Sequence, residues 1–247
     1  MVAGALLTSL PQHLSAELYN ATNDFSASPT LPATSANLVW SYGYSTGSGF
    51  VLDTVATAHS PLATNSSDSI PSYYFDGSSN PYLPAILKNN SGGLYSFLTI
   101  SNWDPAYLLI HPGQNNEQSI LRFTAPSNSS YNIAAAFIGL DSHGTSSDVH
   151  VIVSNAGAPT AAFDALVLPS ANYSGNVFLA QGDTVDFAVG YGANGNYYYD
   201  STGLNAEISS TPEPGSLALL AGGFIGFAIL QVRRSSLKSF ERKIHDK

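Results

Sequence analysis

Three consecutive tyrosines, Tyr197, Tyr198 and Tyr199, lie between Asn196 and Asp200 in a loop rich in glycine and asparagine. Side chains of an extended segment alternate in direction, so at least one of the three rings must point away from the core. A flat aromatic ring can stack on the apolar C–H face of a sugar, while neighbouring amide and carboxylate groups bond its hydroxyls. The sequence therefore predicts a glycan-binding surface with four candidate residues: Tyr191, Tyr197, Tyr198 and Tyr199.

Acidic residues near the same loop raise the question of a metal. Calcium takes about 6–8 oxygen ligands from carboxylates, amides and backbone carbonyls, and loops of Asp, Asn and Gly supply all three. One hypothesis is a calcium site formed by Asp183, Asp186 and Asp200. In the alternative, Asp183 caps its own β-turn and Asp186 faces solvent. No EF-hand or repeat calcium pattern is present, so we favour the second interpretation, in which the protein uses no cofactor.

Histidine, serine and aspartate are also the residue types of hydrolytic sites. The candidate histidines are His59, His111, His143 and His150. The chain has no Gly-x-Ser-x-Gly elbow, no His-Glu-x-x-His motif and no paired catalytic carboxylates. A hydrolase stays open as an alternative, because a catalytic triad is defined by geometry and not by sequence order. We interpret the protein as non-catalytic.

The elements that carry these residues are predicted to be β-strands. Segments rich in β-branched and aromatic residues alternate with turns of Gly, Pro, Asn and Ser. Residues 149–153 and 185–189 place an apolar side chain at every second position, as a half-buried strand does. With no amphipathic helical window, the pattern predicts a mostly β fold, an antiparallel β-sandwich of jelly-roll type. We expect Trp40 and Trp103 in its core, and residues 59–84 as a long surface excursion.

Charge is distributed unevenly along the chain. Before Pro212 two basic residues, Lys88 and Arg122, stand against fourteen acidic ones, a net charge of −12. After Val232 six basic residues stand against two acidic ones, a net charge of +4. An acidic surface excludes nucleic acid as a partner, because phosphate binding requires clustered Lys and Arg. Cysteine is absent, so the fold has neither disulfides nor thiolate metal sites.

Residues 211–247 differ in character from the rest. The segment Thr211-Pro212-Glu213-Pro214-Gly215 is followed by an uncharged apolar run, Ser216 to Val232, and then by Arg233 and Arg234. A helix of this run, rising about 1.5 Å per residue, nearly spans the roughly 30 Å hydrocarbon layer of a bilayer. We therefore predict a linker followed by one transmembrane helix. The basic end places the C-terminus in the cytoplasm and the rest of the chain outside.

This order of Pro-Glu-Pro, apolar helix and arginine pair resembles the PEP-CTERM sorting signal of Gram-negative bacteria. The resemblance assigns Pro212, Glu213 and Pro214 to the recognition motif, and Arg233 and Arg234 to the end of the membrane span. It implies that an exosortase-like enzyme recognises the tail in the inner membrane and cuts near Pro-Glu-Pro. It also implies that the protein then passes to the cell surface or the extracellular polysaccharide matrix. An ordinary single-pass anchor is the alternative.

The sequence thus predicts three segments: a lead-in (1–28), a β-sandwich ectodomain (29–210) and the sorting tail (211–247). Residues 1–10 contain a short apolar stretch without the basic residues of a secretory signal. Either the lead-in is the remainder of a truncated signal peptide, which we favour, or export is the wrong interpretation.

A looser resemblance covers residues 28–210. The stretches 122–126, 148–151 and 182–190 look like the sandwich module of many PEP-CTERM exported proteins, whose strand pattern is similar to that of carbohydrate-binding sandwiches. The resemblance assigns no activity to this module. We therefore expect an exported, non-catalytic protein of the cell envelope or extracellular matrix, with binding of extracellular polysaccharide as the alternative function.

Overall fold

The structure, a computed structural model, describes residues 16–26, 30–47, 49–62, 70–75 and 82–211. Outside these ranges lie the predicted membrane span and the residues predicted for sorting: Pro212, Glu213, Pro214, Arg233 and Arg234. Among the described residues, no helix combines the length and the apolar character that crossing a membrane requires.

The described residues form β-strands joined by turns, with one short helix, α1 (Ala21–Asp24), and one 3₁₀ turn, η1 (Gly192–Asn194). The strands are β1 Leu18–Asn20, β2 Trp40–Ser45, β3 Val51–Leu52, β4 Val55–Thr57, β5 Ser72–Tyr74, β6 Ala85–Lys88, β7 Tyr95–Phe97, β8 Ile100–Trp103, β9 Leu108–His111, β10 Gln118–Thr124, β11 Ser129–Gly139, β12 Asp148–Asn155, β13 Ala158–Leu166, β14 Ser170–Leu179, β15 Thr184–Gly190 and β16 Thr202–Thr211.

Two large sheets contain most of these strands. One has the order β14-β11-β16-β9-β6-β5-β4, with β1 also paired to β16. The other has the order β13-β12-β15-β10-β2-β3, and β7 pairs with β8 in a small separate hairpin. Neighbouring strands such as β11 and β14, or β12 and β15, run antiparallel. The prediction of a mostly β, antiparallel, sandwich-like fold is confirmed.

Alternating apolar residues bring the two sheets together. Strand β12 buries Val149, Val151 and Val153, the period-two pattern of a half-buried strand. Across the core, the ring centroid of Phe123 in β10 lies 5.6 Å from that of Tyr131 in β11. Because β10 and β11 belong to different sheets, this contact joins the two layers of the sandwich.

Both tryptophans are fully buried, as predicted. Trp40 packs edge-on against Phe123, and its indole N–H donates to Asp24 Oδ2 at 2.9 Å. Trp103 lies in a second apolar cluster, where its indole N–H donates to the carbonyl oxygen of Tyr107 at 2.8 Å. Each ring therefore buries its apolar area while its single donor keeps a partner.

The sandwich includes residues that were expected in the lead-in. Residues 17–210 form one compact unit, and β1 pairs with β16. Tyr19 and Phe25 lie in the main core, where the ring centroid of Tyr19 is 5.2 Å from that of Phe123. The partner strand lies far along the chain, since Asn20 bonds Glu207 from 187 residues away. No local pattern announces such a pairing.

A second difference concerns residues 59–84, which were expected as a surface excursion. Strand β5 lies between β4 and β6 in the sheet, and its residues are buried. The Tyr73 ring stacks on Tyr42 of the opposite sheet, with centroids 4.4 Å apart and planes 7° apart. Tyr73 therefore belongs to the core because of a contact between the two sheets.

Asp53, between β3 and β4, is a buried acid. The residue is only 3% exposed, and neither of its carboxylate oxygens has a hydrogen-bond partner among the described residues. Burial raises the pKa of this carboxyl well above its usual value. A raised folded-state pKa means that stability is full below the ordinary carboxyl pKa and is lost as the pH rises through the raised value.

We expect Asp53→Asn to be more stable than the unsubstituted chain near neutral pH by about 1–3 kcal/mol, because the variant has no charge to desolvate. The difference should shrink as the pH falls to about 3, where Asp53 is protonated in both the folded and the unfolded chain. Urea unfolding at a series of pH values measures it. Glu207→Gln, at an exposed position, is the control. A stability difference between Asp53→Asn and the unsubstituted chain that is constant with pH would contradict the raised pKa of Asp53.

Candidate functional site

The loop from Tyr191 to Ser201 connects β15 of one sheet to β16 of the other. It contains η1, which ends at Gly195 with a φ of 71°, the left-handed conformation that favours glycine. Tyr199 has a similar φ of 66°, which is uncommon for a residue with a side chain. Contacts around the loop must therefore impose this conformation.

Asp200 attaches the loop to the segment before β12. Its Oδ1 accepts hydrogen bonds from the backbone N–H and the hydroxyl of Ser146, at 3.0 and 2.9 Å. Its carbonyl oxygen accepts a bond from Ser147 Oγ at 3.0 Å. The pKa of the Asp200 carboxyl is raised above its usual value by burial, and the bonds from Ser146 offset part of this rise. The buried side chain thus fixes the end of the loop.

Two further contacts fix the first half of the loop on the same segment. The Gly192 N–H donates to Asp148 Oδ1 at 3.0 Å, and Asn194 Nδ2 donates to Ser146 Oγ at 2.6 Å. A Cβ atom on Gly192 would lie 2.6 Å from the carbonyl oxygen of Ser146, so a side chain there would force the backbone to move. Residues 146–148 therefore hold the loop at both ends.

Asp148 is itself held by a neighbouring histidine. His150 Nε2 lies 3.1 Å from Asp148 Oδ2, and His150 Nδ1 lies 2.5 Å from Asp164 Oδ1. The hydrogen bond to Asp148 raises the pKa of His150, and the same bond lowers the pKa of Asp148. When it is protonated, His150 can donate to both carboxylates and so orient Asp148, which receives the Gly192 N–H.

The three tyrosines differ in exposure. Tyr198 is 61% exposed and Tyr199 is 44% exposed, whereas Tyr197 is partly buried. The rings of Tyr197 and Tyr198 stack at 4.6 Å with planes 28° apart. Tyr199 stacks on His143 at 4.5 Å with planes 26° apart. The loop therefore presents flat rings that are already braced by a neighbour.

A cleft of about 310 Å³ is lined by all three tyrosines. Apolar side chains such as Leu98, Ile100 and Leu109 form much of its surface, together with the polar residues His111 and Asp141. Asp141 Oδ2 accepts a bond from the hydroxyl of Thr99 at 2.7 Å. The cleft is thus mainly apolar, with a few polar groups whose positions are fixed.

His111 contributes a neutral imidazole to this cleft. Its Nδ1 lies 2.8 Å from the carbonyl oxygen of Pro112, and because a carbonyl only accepts, Nδ1 carries the proton. Burial lowers the pKa of His111, which keeps the ring neutral near neutral pH. Its Nε2 is then an acceptor suited to a hydroxyl group.

An open depression of about 620 Å³ shares Tyr198 and Tyr199 with the cleft. Its other lining residues are polar or small: Gly144, Ser146, Asn194 and Asn196. The amide oxygen of Asn196 accepts the Tyr198 N–H at 3.1 Å, which orders the loop from within. Tyr198 and Tyr199 are therefore common to an apolar cleft and a polar depression.

This arrangement fits a ligand that has both apolar faces and hydroxyl groups. A pyranose ring has that character, because its C–H face stacks on an aromatic ring while its hydroxyls bond amide, imidazole and hydroxyl groups. Among the described residues that line the two depressions, none is Lys or Arg. A phosphate or carboxylate ligand would find no basic partner there.

The predicted glycan-binding residues are divided by the structure. Tyr197, Tyr198 and Tyr199 line the cleft, whereas Tyr191 lines neither depression. Tyr191 is partly buried and directly precedes η1. Glycan binding by these tyrosines stays a prediction.

The three aspartates of the calcium hypothesis have different partners. Asp183 accepts the N–H groups of Ala156 and Ala180 at 2.8 and 2.9 Å, which is the turn-capping role of the alternative interpretation. Asp186 is buried in a two-point ion pair with Arg122, at 2.6 and 2.7 Å, and does not face solvent.

The third aspartate, Asp200, bonds Ser146 as described above. Among the described residues, no group of three or more His, Cys, Asp or Glu side chains is arranged to hold a metal ion.

The histidines were the candidates for hydrolysis. His143 Nδ1 lies 3.3 Å from Ser142 Oγ and 3.4 Å from Asp141 Oδ1. A Ser-His-Asp relay uses two different ring nitrogens, so these contacts on one nitrogen do not form it. His150 contacts two carboxylates and His111 a carbonyl, so neither contact places a nucleophile on the ring.

Sequence reasoning missed the residues that surround the tyrosines. Leu98, Ile100, Asp141, His143 and Ser146 precede the tyrosines by about 50 to 100 residues. They carry no shared motif or spacing that connects them to the loop. Only strand pairing brings these segments together, so the sequence offered no signal for the cleft.

Comparison with known proteins concerns first the C-terminal segment. Residues 210–234 match the family model of the PEP-CTERM protein-sorting motif. The tail is a PEP-CTERM motif. The resemblance drawn from Pro212–Pro214 and the arginine pair is confirmed, and the PEP-CTERM motif indicates export to the cell envelope or surface. None of the curated proteins matches the chain.

Solved structures similar to parts of the chain include the CBM51 module from Clostridium perfringens GH95 in complex with methyl-galactose, 16% identical over 43% of this chain and 71% of that one, with a TM-score of 0.30. The K2 cleaved adhesin domain of Lys-gingipain from Porphyromonas gingivalis is 15% identical over 51% and 82%, with a TM-score of 0.32. The N-terminal cellulose-binding domain of Cellulomonas fimi β-1,4-glucanase C is 12% identical over 51% and 93%, with a TM-score of 0.29. Likeness at this level leaves the ligand to be inferred from the side chains of this chain.

Gly192→Ala and Gly195→Ala test how closely the loop packs on its support. The two glycines have φ of 70° and 71°, but an added Cβ meets Ser146 only at Gly192, while Gly195 faces open space. We expect Gly195→Ala to lower the free energy of unfolding by about 1 kcal/mol, and Gly192→Ala by about 1–3 kcal/mol more. Urea unfolding measures both, and equal losses would contradict the close packing.

Proposed function

We propose that this chain is an exported, non-catalytic protein of the cell envelope or extracellular matrix that binds polysaccharide through Tyr197, Tyr198 and Tyr199. The observation that carries the proposal is the exposure of Tyr198, 61%, in a loop fixed by hydrogen bonds beside the cleft. Exposed apolar surface beside polar groups is typical of ligand-binding sites. A loop that is ordered before binding loses little conformational entropy when the ligand arrives.

Neutral polysaccharide is the ligand class that fits the charges. The residues before Pro212 carry a net charge of −12, so an anionic polymer is repelled at long range. Near the rings, His111 supplies an acceptor and Asn194 and Asn196 supply amides. These groups bond hydroxyls and need no charge on the ligand.

The PEP-CTERM tail supports the route by which the protein reaches this ligand. We propose that the apolar run after Gly215 crosses the inner membrane of a Gram-negative bacterium, with its basic end in the cytoplasm. An exosortase-like enzyme then recognises Pro212-Glu213-Pro214, and the sandwich reaches the cell surface or the matrix. A glycan-binding sandwich released there would meet polysaccharide directly.

We expect the chain to bind neutral glycans on an array that carries neutral and acidic oligosaccharides. Tyr197→Ala with Tyr198→Ala should weaken the binding at least about tenfold, because two stacking surfaces are lost. Tyr191→Ala is the matched control, since Tyr191 lies on the same loop but lines neither depression. Binding that survives the double variant would contradict the assignment of the site to these tyrosines. The absence of any glycan bound would leave the protein with a structural role only.

Replacement of Pro212-Glu213-Pro214 by alanines should leave the protein in the membrane fraction, because the processing enzyme loses its recognition motif. Fractionation followed by immunoblotting measures the retained share. Replacement of Ser235 and Ser236, which follow the arginine pair, is the control. The sorting proposal fails if processing and surface display are the same in both variants.

A further inference from the structure

Strand β14 forms one edge of the eight-stranded sheet. In the part of the chain that the structure describes, it pairs with β11 on one side and with no strand on the other. Its register with β11 is regular over ten residue pairs, from Ser129↔Leu179 to Ile138↔Ser170. An edge presents a row of backbone N–H and C=O groups that can pair with another strand. β14 is thus a long, uninterrupted template.

Edge strands of soluble proteins are usually protected by short length, charge, proline or a bulge. The strands at the other three ends of the two strand orders have such protection. Strands β3 and β4 are only two and three residues long. Strand β13 contains Pro159 and Asp164, and its register with β12 is irregular. Strand β14, Ser-Ala-Asn-Tyr-Ser-Gly-Asn-Val-Phe-Leu, has no charge, no proline and no bulge.

The side chains of β14 alternate between the core and the surface. Ala171 and Leu179 are buried, and Phe178 is 58% exposed. The outward row is small or uncharged: Ser170, Asn172, Ser174, Asn176 and Phe178. An added strand would therefore meet no charge that has to be desolvated.

Charge elsewhere in the chain favours this edge for contact between copies. The residues before Pro212 carry a net charge of −12, so two copies repel each other over most of their surface. Residues 125–140, which include β11, and residues 165–182, which include β14, contain no charged side chain. The two strands at this edge therefore add no charge of their own to a contact between copies.

We propose that β14 pairs antiparallel with β14 of a second copy of this chain, about a twofold axis. An antiparallel edge is complementary to itself, so one kind of contact suffices and the assembly closes as a dimer. The pairing joins the eight-stranded sheets of two copies into one continuous sheet. It satisfies the backbone groups that β14 otherwise leaves to solvent.

Single cysteines test this register, because the natural chain has none. Four variants of the full-length chain, purified in a non-ionic detergent, each carry one cysteine: Ser170→Cys, Asn172→Cys, Ser174→Cys and Asn176→Cys. Near the axis a residue faces its own copy within the Cα separation of about 4.4–6.8 Å that a disulfide needs. Each residue by which a position lies farther from the axis adds about 7 Å to the Cα separation, because the two copies of that residue are displaced in opposite directions along the strands.

We expect the yield of disulfide-linked dimer under mild oxidant to peak at one position or two neighbouring ones, and to be at least about fivefold lower at the others. Val51→Cys, on the short edge strand β3, should give the low value. A lysine at the outward position next to the best cross-linking cysteine, such as Ser174→Lys beside Asn172→Cys or Asn172→Lys beside Ser174→Cys, should lower its yield about fivefold, because a lysine on an edge strand opposes pairing between edges. Val51→Lys is the matched control.

A yield that is flat along β14, or equal to that of Val51→Cys, would overturn the proposal, since association through the tail gives no peak. A peak that is unaffected by the neighbouring lysine, in a variant whose thermal unfolding shows that it is folded, would also overturn it.

Discussion

The hydrogen bonds of Asp200 are the contact on which the candidate site depends. The residue is fully buried where the loop enters β16, and its Oδ1 receives two bonds from Ser146 of the segment before β12. Because β12 and β16 belong to different sheets, this carboxyl ties the two layers together beside the tyrosines. Its Oδ2 is buried without a partner among the described residues, so the bonds at Oδ1 must offset the loss of hydration.

The distribution of charge links the fold to the proposed ligand. Both basic residues before Pro212 are engaged within the sandwich. Arg122 pairs with Asp186 and lies 4.0 Å above the ring of Phe50. Lys88 donates to the carbonyl oxygen of Thr22. Both cations thus have partners inside the sandwich, and the remaining surface is acidic. Such a surface suits neutral polymers. It also leaves the uncharged edge at β14 as a place where copies can meet.

Much of the fold was predictable because strands and turns are local. Alternation in β12 and β15 predicted which valines would be buried, and the size of Trp40 and Trp103 predicted that both would be core residues. Tyr197, Tyr198 and Tyr199 could be predicted as a candidate surface because three adjacent side chains of an extended segment cannot all point inward. The pairing of β1 with β16 and the burial of β5 escaped prediction, since their partners lie far away in sequence. The same reason hid the cleft.

By itself the sequence determined the class of fold, the acidic character of the sandwich and the PEP-CTERM tail, which are properties of composition, period and ordered motifs within short stretches. Only the tertiary structure decided which tyrosines line a cleft, that Asp186 is ion-paired, and that β14 is left as an edge. The physical reason is that each of these depends on which distant strands pair. A β-sandwich settles that choice through the summed packing of both sheets, and no single segment encodes it.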